Sequence, residues 1–338
     1  MRTKIFIPVF FCCVFIMQLR AQDFHLTQYD AFSLYLNPAL TGNYLNEHDA
    51  DYKVSTVYRT QWRPLATKPY ATYGVSYDMP YKRFGLGGYL LDNKSGGPNF
   101  NTLNFQLSGS YFITDPKVSP HLLNVGLQTG LFYKTFNMNS ILFESQYDYS
   151  TGQLNSGIPS GEAFPRYSRT NFDANTGVFY KYKKADIKYS PFLGFSIFHA
   201  NMPVETFSSY KSRLPMRFNL QGGCDIKISD ELKITPMFLY MNQANAWELN
   251  VGGLGYYRIS GKEAKEVKYD LIFGLNYRLK DAVMVQAGVQ KDNFVLRMSY
   301  DFNTSYLNTY TNGKGGFEIT LQVYGKKGQS PFKSMASF

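Results

Sequence analysis

The side chains able to do chemistry in this sequence are few and far apart. The four histidines, His25, His48, His121 and His199, share none of the i, i+3 or i, i+4 spacings that bring metal ligands together on one element. Each reads as an interface or loop residue. No Gly-x-Ser-x-Gly elbow is present for a serine nucleophile. Cys12 and Cys13 fall in the leading apolar run, so Cys224 is the single cysteine of a processed chain, and no intramolecular disulfide or cysteine metal site is expected. Cys224 also lies on the apolar side of its segment, away from a base that would activate it. A hydrolase built on facing strands would need Ser, His and an acid brought together by the fold, which spacing along the chain does not reveal. No catalytic residue, metal or cofactor is expected.

Charged residues recur instead at alternate positions. Arg217, Asp225, Lys227, Lys268, Asp270, Arg278, Lys280, Arg297 and Asp301 all fall on the polar side of segments that alternate apolar and polar residues. Successive side chains of a strand face opposite ways, so these residues line one surface, where opposite charges on neighbouring strands can pair. The other reading is that some of them set the selectivity of a pore.

The elements that position them are strands of period two. Ala71, Tyr73, Val75, Tyr77 and Met79 make an apolar face, while Thr72, Gly74, Ser76 and Asp78 are polar or small. Met216, Phe218, Leu220, Cys224, Ile226 and Ile228 alternate in the same way, as do Val267, Tyr269, Leu271, Phe273, Leu275, Tyr277 and Leu279. Soluble strands average about five or six residues, whereas a tilted strand crossing a bilayer needs about nine to eleven. Fourteen segments of membrane length can be drawn, at 51–61, 69–79, 83–92, 101–113, 121–135, 172–183, 187–199, 214–228, 231–242, 246–259, 267–280, 282–290, 293–303 and 315–325. The expected fold is all-β, a 14-stranded antiparallel transmembrane β-barrel, the even count being that of bacterial outer-membrane barrels. A soluble sandwich or propeller shares the alternation but predicts shorter strands.

Connection lengths support the barrel, since such proteins have short periplasmic turns and longer outer loops. The stretches 93–100, 136–171, 200–213 and 304–314 all fall on the outer side, and Pro80-Tyr81-Lys82, Ser229-Asp230 and Lys291-Asp292 make tight inner turns. The turn at 260–266 is long for its side and that at 279–282 short for the other. Tyr and Phe contribute 28 residues each, and those at strand ends, among them Tyr77, Tyr111, Tyr180, Trp247, Tyr277 and Tyr300, read as girdles at the two membrane interfaces; the strand propensity of tyrosine accounts for part of this. Gly87-Gly88, Gly222-Gly223 and Gly252-Gly253 read as bends or bulges within strands. Tyr147 and Tyr149 in the longest outer segment, with Phe207 and Tyr210 in the next, suggest a protein-contact surface.

Ahead of the barrel, Arg2 and Lys4, the apolar run from Ile5 to Met17 and Leu19-Arg20-Ala21 have the three-part pattern of a secretory signal. No small residues accompany Cys12 and Cys13, so a lipid anchor is not expected. Formal net charge is +10, and losing Arg2, Lys4 and Arg20 leaves about +7. The cations are scattered, so nucleic acid is not an expected partner. Residues 22–46 do not alternate. Tyr29, Phe32, Leu34, Tyr35 and Leu36 give a loose helical spacing stopped by Asn37-Pro38, since the residue before proline resists the helical region. A short helix or folded segment in the periplasmic mouth is expected, with a disordered lead-in as the other reading. The organisation is thus a signal at 1–21, an amino-terminal periplasmic or plug segment at 22–50, the barrel at 51–325 and a tail at 326–338.

Gln28-Tyr29, then Leu36-Asn37-Pro38-Ala39 with Thr41-Gly42, then Tyr58-Arg59-Thr60-Gln61-Trp62 resemble the PorP/SprF family of outer-membrane proteins of the type IX secretion system and gliding apparatus of Bacteroidetes. Ser76-Tyr77-Asp78, Gly85-Leu86-Gly87 and Gly316-Phe317-Glu318-Ile319 extend the resemblance over nearly the whole mature chain. It implies a barrel similar to the long-chain fatty-acid transporter class in a Gram-negative outer membrane, with both termini periplasmic. It implies as partners a secreted surface protein or adhesin and the translocon or periplasmic ring proteins, besides outer-membrane lipid. Asn37, Pro38, Ala39, Gly42, Tyr58, Arg59, Gln61 and Trp62 are the signature or partner-contact candidates. Arg59 and Gln61 are expected on the lumen face, with Trp62 at the outer interface. A channel for small or hydrophobic solutes is the alternative function. The tail after Gly325 departs from the family habit of ending close to the last strand.

Overall fold

The computed structural model describes residues 23–44, 50–63, 69–96, 100–137, 141–161, 167–184, 187–207, 212–260 and 269–327. The expected signal peptide, His48, Tyr210, Lys268, most of the 260–266 turn and the tail beyond Lys327 lie outside them. Strands run as β1 (Tyr52–Gln61), β2 (Tyr70–Tyr81), β3 (Phe84–Ser95), β4 (Phe100–Phe112) and β5 (His121–Thr135). A two-residue pair, β6 (Tyr147–Asp148) and β7 (Gln153–Leu154), sits in the following loop. The chain then continues through β8 (Ser168–Tyr182), β9 (Tyr189–Phe198), β10 (Arg217–Lys227), β11 (Leu232–Gln243) and β12 (Ala246–Ser260). It ends with β13 (Tyr269–Arg278), β14 (Ala282–Lys291), β15 (Phe294–Asn303) and β16 (Lys314–Gly325).

All but β6 and β7 form one closed antiparallel barrel of fourteen strands, with β5 beside β8 and β16 returning onto β1. The alternation explains its inside-out character. Leu127, Phe273 and Leu275 on one face are exposed, while Gln106, Asn124, Asn219 and Asn276 on the other are buried, the arrangement of a protein whose outer solvent is hydrocarbon. Aromatic pairs ring both ends. Tyr52 with Tyr77 and Phe84 with Tyr111 lie at the end with short turns, and Trp62 with Tyr70 and Tyr240 with Trp247 at the end with long loops.

Two details differ from expectation. The ladder passes Gly87-Gly88, Gly222-Gly223 and Gly252-Gly253 without a register shift; the shifts fall at Arg258/Ser260 and Asp301/Phe302. β8 also begins four residues before its expected start, because its pairing with β5 continues to Thr135 opposite Ser168 while its pairing with β9 starts only at Thr176. The β4–β5–β8 part of the sheet therefore extends past β9 at the loop end.

Residues 23–44 do not stop at one mouth. Asp23 meets His199, Arg217 and Gln243 at the loop end, whereas the hydroxyl of Tyr44 donates to the Asp78 carbonyl and its ring packs on Tyr324 at the turn end. The segment thus runs the length of the lumen, because the polar wall offers partners along its whole course. At the other extremity, the Lys327 amide donates to Asp51 at the turn end. Asp23 and Lys327 therefore lie at opposite ends of the barrel.

Candidate functional site: the filled lumen

Three sets of contacts hold the segment, and each begins with a residue whose wall partner lies far away in sequence. At the loop end the Asp23 carboxylate accepts from His199 Nε2 (2.8 Å) and Arg217 (3.1 Å), while His199 Nδ1 faces Asp173 (2.8 Å). Burial works against both charges. For His199, just past the end of β9, Asp23 and Asp173 more than offset it and lift the imidazole to about 9. For Asp23, burial is likewise outweighed by His199 and Arg217, which hold the carboxyl well below its ordinary value. The Arg217 guanidinium also lies over the rings of Tyr35 (4.4 Å) and Phe198 (4.3 Å) and donates to the Tyr35 hydroxyl at 2.7 Å, a cation–π and hydrogen-bond clamp on the segment.

The second set lies beside the seam that closes the barrel. Arg59 reaches Glu318 (3.1 Å) and Asp301 (2.8 Å), and Asp301 also accepts from Arg278 at 3.2 Å. The Glu318 carboxylate takes the backbone amides of Thr27 and Gln28, both at 2.8 Å, and Thr27 Oγ1 donates to Asp301. Gln28 accepts from Thr320 and donates to Ser299. Buried carboxylates of this kind are tolerated because cations and amide donors satisfy them together.

The third set is a turn seated on glycines. α1 (Ser33–Leu36) ends at Asn37, whose extended backbone (φ −159°, ψ 122°) fits a residue before proline. The Asn37 side chain then accepts from the Ala39 amide and caps the 3-10 turn Pro38–Leu40. Its amide nitrogen donates to the Val178 carbonyl at 3.0 Å, and Ser196 and Asn219 donate to the Leu36 carbonyl. The turn comes this close because the wall lacks side chains there: a Cβ at Gly177 would overlap the Asn37 side chain, and one at Gly126 the Pro38–Ala39 backbone. Farther on, Gly42, in the left-handed region (φ 67°), donates to Asp78 at 2.8 Å and rests on Gly85. Lys53 binds Asp78 (3.4 Å) and Ser33 (2.9 Å).

The segment divides the lumen. Toward the loop end, a void of only about 20 Å³ remains between Leu26, Tyr35 and the β10–β11 wall, room for about one water. Toward the turn end lies a cavity of about 970 Å³ whose floor includes Leu36 and Leu40. Tyr29 and Leu36 of the segment line both, so the segment stands between the two.

The family profile for the type IX secretion system membrane protein PorP/SprF matches residues 18–323. The chain belongs to the PorP/SprF family. No curated protein matches it. Among solved structures, the toluene transporter TbuX of Ralstonia pickettii is 12% identical, with a TM-score of 0.52 over 87% of this chain and 94% of that one. The toluene transporter TodX of Pseudomonas putida is also 12% identical, with a TM-score of 0.45 over 89% and 93%. These likenesses are of barrel fold.

In this PorP/SprF barrel six of the eight signature candidates lie in the lumen, at separate places along it. Asn37, Pro38, Ala39 and Gly42 lie in the segment, and Arg59 projects into the lumen to the Glu318 cluster as the alternation predicts. Gln61 joins it, 3.3 Å from His25. Tyr58 and Trp62 take no part: Tyr58 packs on Tyr73 across the outer face, and Trp62 turns off the strand end at φ 51° against Tyr70. Two histidines correct the reading of them as interface or loop residues. His25 sits in the lumen 3.1 Å from Glu248, and His199 is buried between two carboxylates. His121 does lie at the rim with Tyr180 and Tyr182. Asp225, Asp270, Arg278 and Asp301 pair across strands as expected, whereas Arg217 and Arg297 pair with Asp23 and Asp30 of the segment, Lys227 with Asp230 in its own turn, and Lys280 lies exposed in the β13–β14 turn.

Proposed function

We propose that this outer-membrane barrel is a non-enzymatic component of the type IX secretion and gliding machinery, which holds an exported surface protein or its carboxy-terminal signal and links it to the translocon or the periplasmic ring. The observation that carries the reading is the occupied lumen. Residues 23–44 fill it, anchored by Asp23 at one end and by Gly42 and Tyr44 at the other, so loops and rims are the working surfaces. In this reading the loop end faces outward and the turn end the periplasm, and residues 1–21 are the export signal.

A platform for cargo stands at the loop end. The β5–β8 ribbon is braced by the 199–216 loop through the Lys134–Glu205 ion pair, an Arg169 bond to the Thr206 carbonyl, and Phe136 packed between Phe100 and Phe207. Above it the β6–β7 turn presents Tyr149, 89% exposed. The alternative, a channel for small or hydrophobic solutes, draws on the likeness to a toluene transporter, TbuX, and requires the segment to leave.

The test is deletion of the gene in its native bacterium, followed by surface proteomics, solute uptake and a detergent pull-down of the tagged chain. Loss of one or a few surface proteins, recovered with the chain and with uptake intact, is expected. Normal display with impaired uptake would support the channel instead.

A further inference from the structure

The cavity at the turn end is walled on one side by the segment, whose Asp30 and Ser33 meet Arg297 and Lys53 there, and the rest of its lining is left open toward the turns. Its volume of about 970 Å³ is at the upper end of ligand pockets. Its lining carries nine lysines and arginines against five aspartates and glutamates. The deeper carboxylates are neutralised: Asp225 by Lys181 (2.9 Å), Asp270 by Arg258 (3.0 Å) and Asp30 of the segment by Arg297 (2.7 Å). At the mouth Lys227 pairs with Asp230, and Lys183, Lys184 and Lys188 from the β8–β9 connection with Lys233 from the start of β11 outnumber the one further acid, Glu231. Deeper in, Phe179, Phe192 and Phe238 stand beside the floor made by Leu36 and Leu40.

We propose that this vestibule receives an acidic, extended segment of a periplasmic protein, with its carboxylates at the lysine rim and its apolar side chains against the floor. The proposal rests on the secretion reading for the side of the membrane involved, and goes beyond it by assigning a second face and its chemistry. The cations lie along the arc of the rim from β8 to β11, which suits a chain of several carboxylates better than one small anion. Ion pairs recur down the wall, which does not suit an acyl chain. An occupant would press on the turn at 37–40 that closes the lumen, so this face touches the element held from the other end.

The test uses the full chain in detergent and fluorescence anisotropy of a labelled ten-residue peptide alternating glutamate and tyrosine. The peptide is expected to bind, and its glutamine counterpart at least tenfold more weakly. A Lys184→Glu/Lys188→Glu variant, altered at exposed positions, should lose at least tenfold, while Lys280→Glu at the loop end should bind as the parent does. Equal binding of the glutamine peptide, full binding by the double variant, or an equal loss in Lys280→Glu would overturn the proposal. So would dodecanoate or inorganic phosphate binding where the acidic peptide does not. None of these results bears on cargo display in cells, so the secretion reading stands or falls separately.

Discussion

Arg59 of β1 and Glu318 of β16 stand directly opposite one another across the seam that closes the barrel, 1% and 0% exposed and 3.1 Å apart. Glu318 uses its other lone pairs to hold the amides of Thr27 and Gln28, so one ion pair fastens strand to strand and barrel to segment. Removing one partner of such a buried pair typically costs about 3–5 kcal/mol, because the other charge is stranded. Arg59→Ala is therefore expected to lower the urea midpoint of the folded barrel, read by its gel-mobility shift. Glu318→Gln, which keeps an acceptor for only one of the two amides because they bind different carboxylate oxygens, should lower the midpoint as well. Equal midpoints for parent and Arg59→Ala would deny the pair this role.

The glycine seat makes a separate prediction. Gly126→Ala and Gly177→Val place atoms where the Asn37–Ala39 turn lies, and overpacking of this kind costs about 1–3 kcal/mol. The turn can yield more easily than a strand paired on both sides. Hydrogen exchange should therefore rise over residues 33–44 while the β5 and β8 ladder stays protected. Exchange that rises equally in the ladder would mean that the segment and the wall form one unit.

Much of this fold is legible in the sequence, and the physical reason is periodicity. The alternation through Ala71–Met79 and Val267–Leu279 reports two solvents, lipid and lumen, and needs no knowledge of the partner strand. The contacts of the segment are not legible in that way, since Thr27 and Glu318 are 291 positions apart and no local pattern joins them. A signal was present in the wall. Gly126, between lumen-facing Asn124 and Gln128, and Gly177, between Asn175 and Phe179, leave gaps in an otherwise filled polar face. Paired glycines drew notice as bends, whereas these single ones mark where backbone approaches backbone. His199 was hidden for the same reason, its two carboxylates being 26 and 176 positions away.

The loop-end anchor should respond to pH. His199 is raised to about 9 from an ordinary value of 6.5, so its stabilising share is complete below about 6.5 and is lost as pH rises through 9. Asp23 is lowered, so its share is present above the ordinary carboxylate range and fails only in strong acid. Protection of residues 23–30 against hydrogen exchange, taken relative to the intrinsic rate at each pH, should therefore be greatest between about pH 5 and 6.5 and fall toward pH 9. His199→Gln should remove the alkaline fall, and an unchanged fall in that variant would assign it to another group.

The two faces of a strand should respond oppositely to charge. Phe273, exposed near the middle of β13, faces lipid in this account, so Phe273→Arg should cost about 2–4 kcal/mol of barrel stability, measured by refolding titration into lipid vesicles. A soluble protein would tolerate that substitution at an exposed site within about 0.5 kcal/mol.

Conductance in planar bilayers tests the central claim, that residues 23–44 close the lumen, most directly. The intact chain should show no stable open level, and a chain lacking 23–44 should conduct steadily; should the deletion fail to insert, Asp23→Ala/Asp30→Ala/Asn37→Ala, which removes three of the segment's side-chain anchors, should open frequently. Steady conductance by the intact chain, equal to that of the opened variant, would contradict the account.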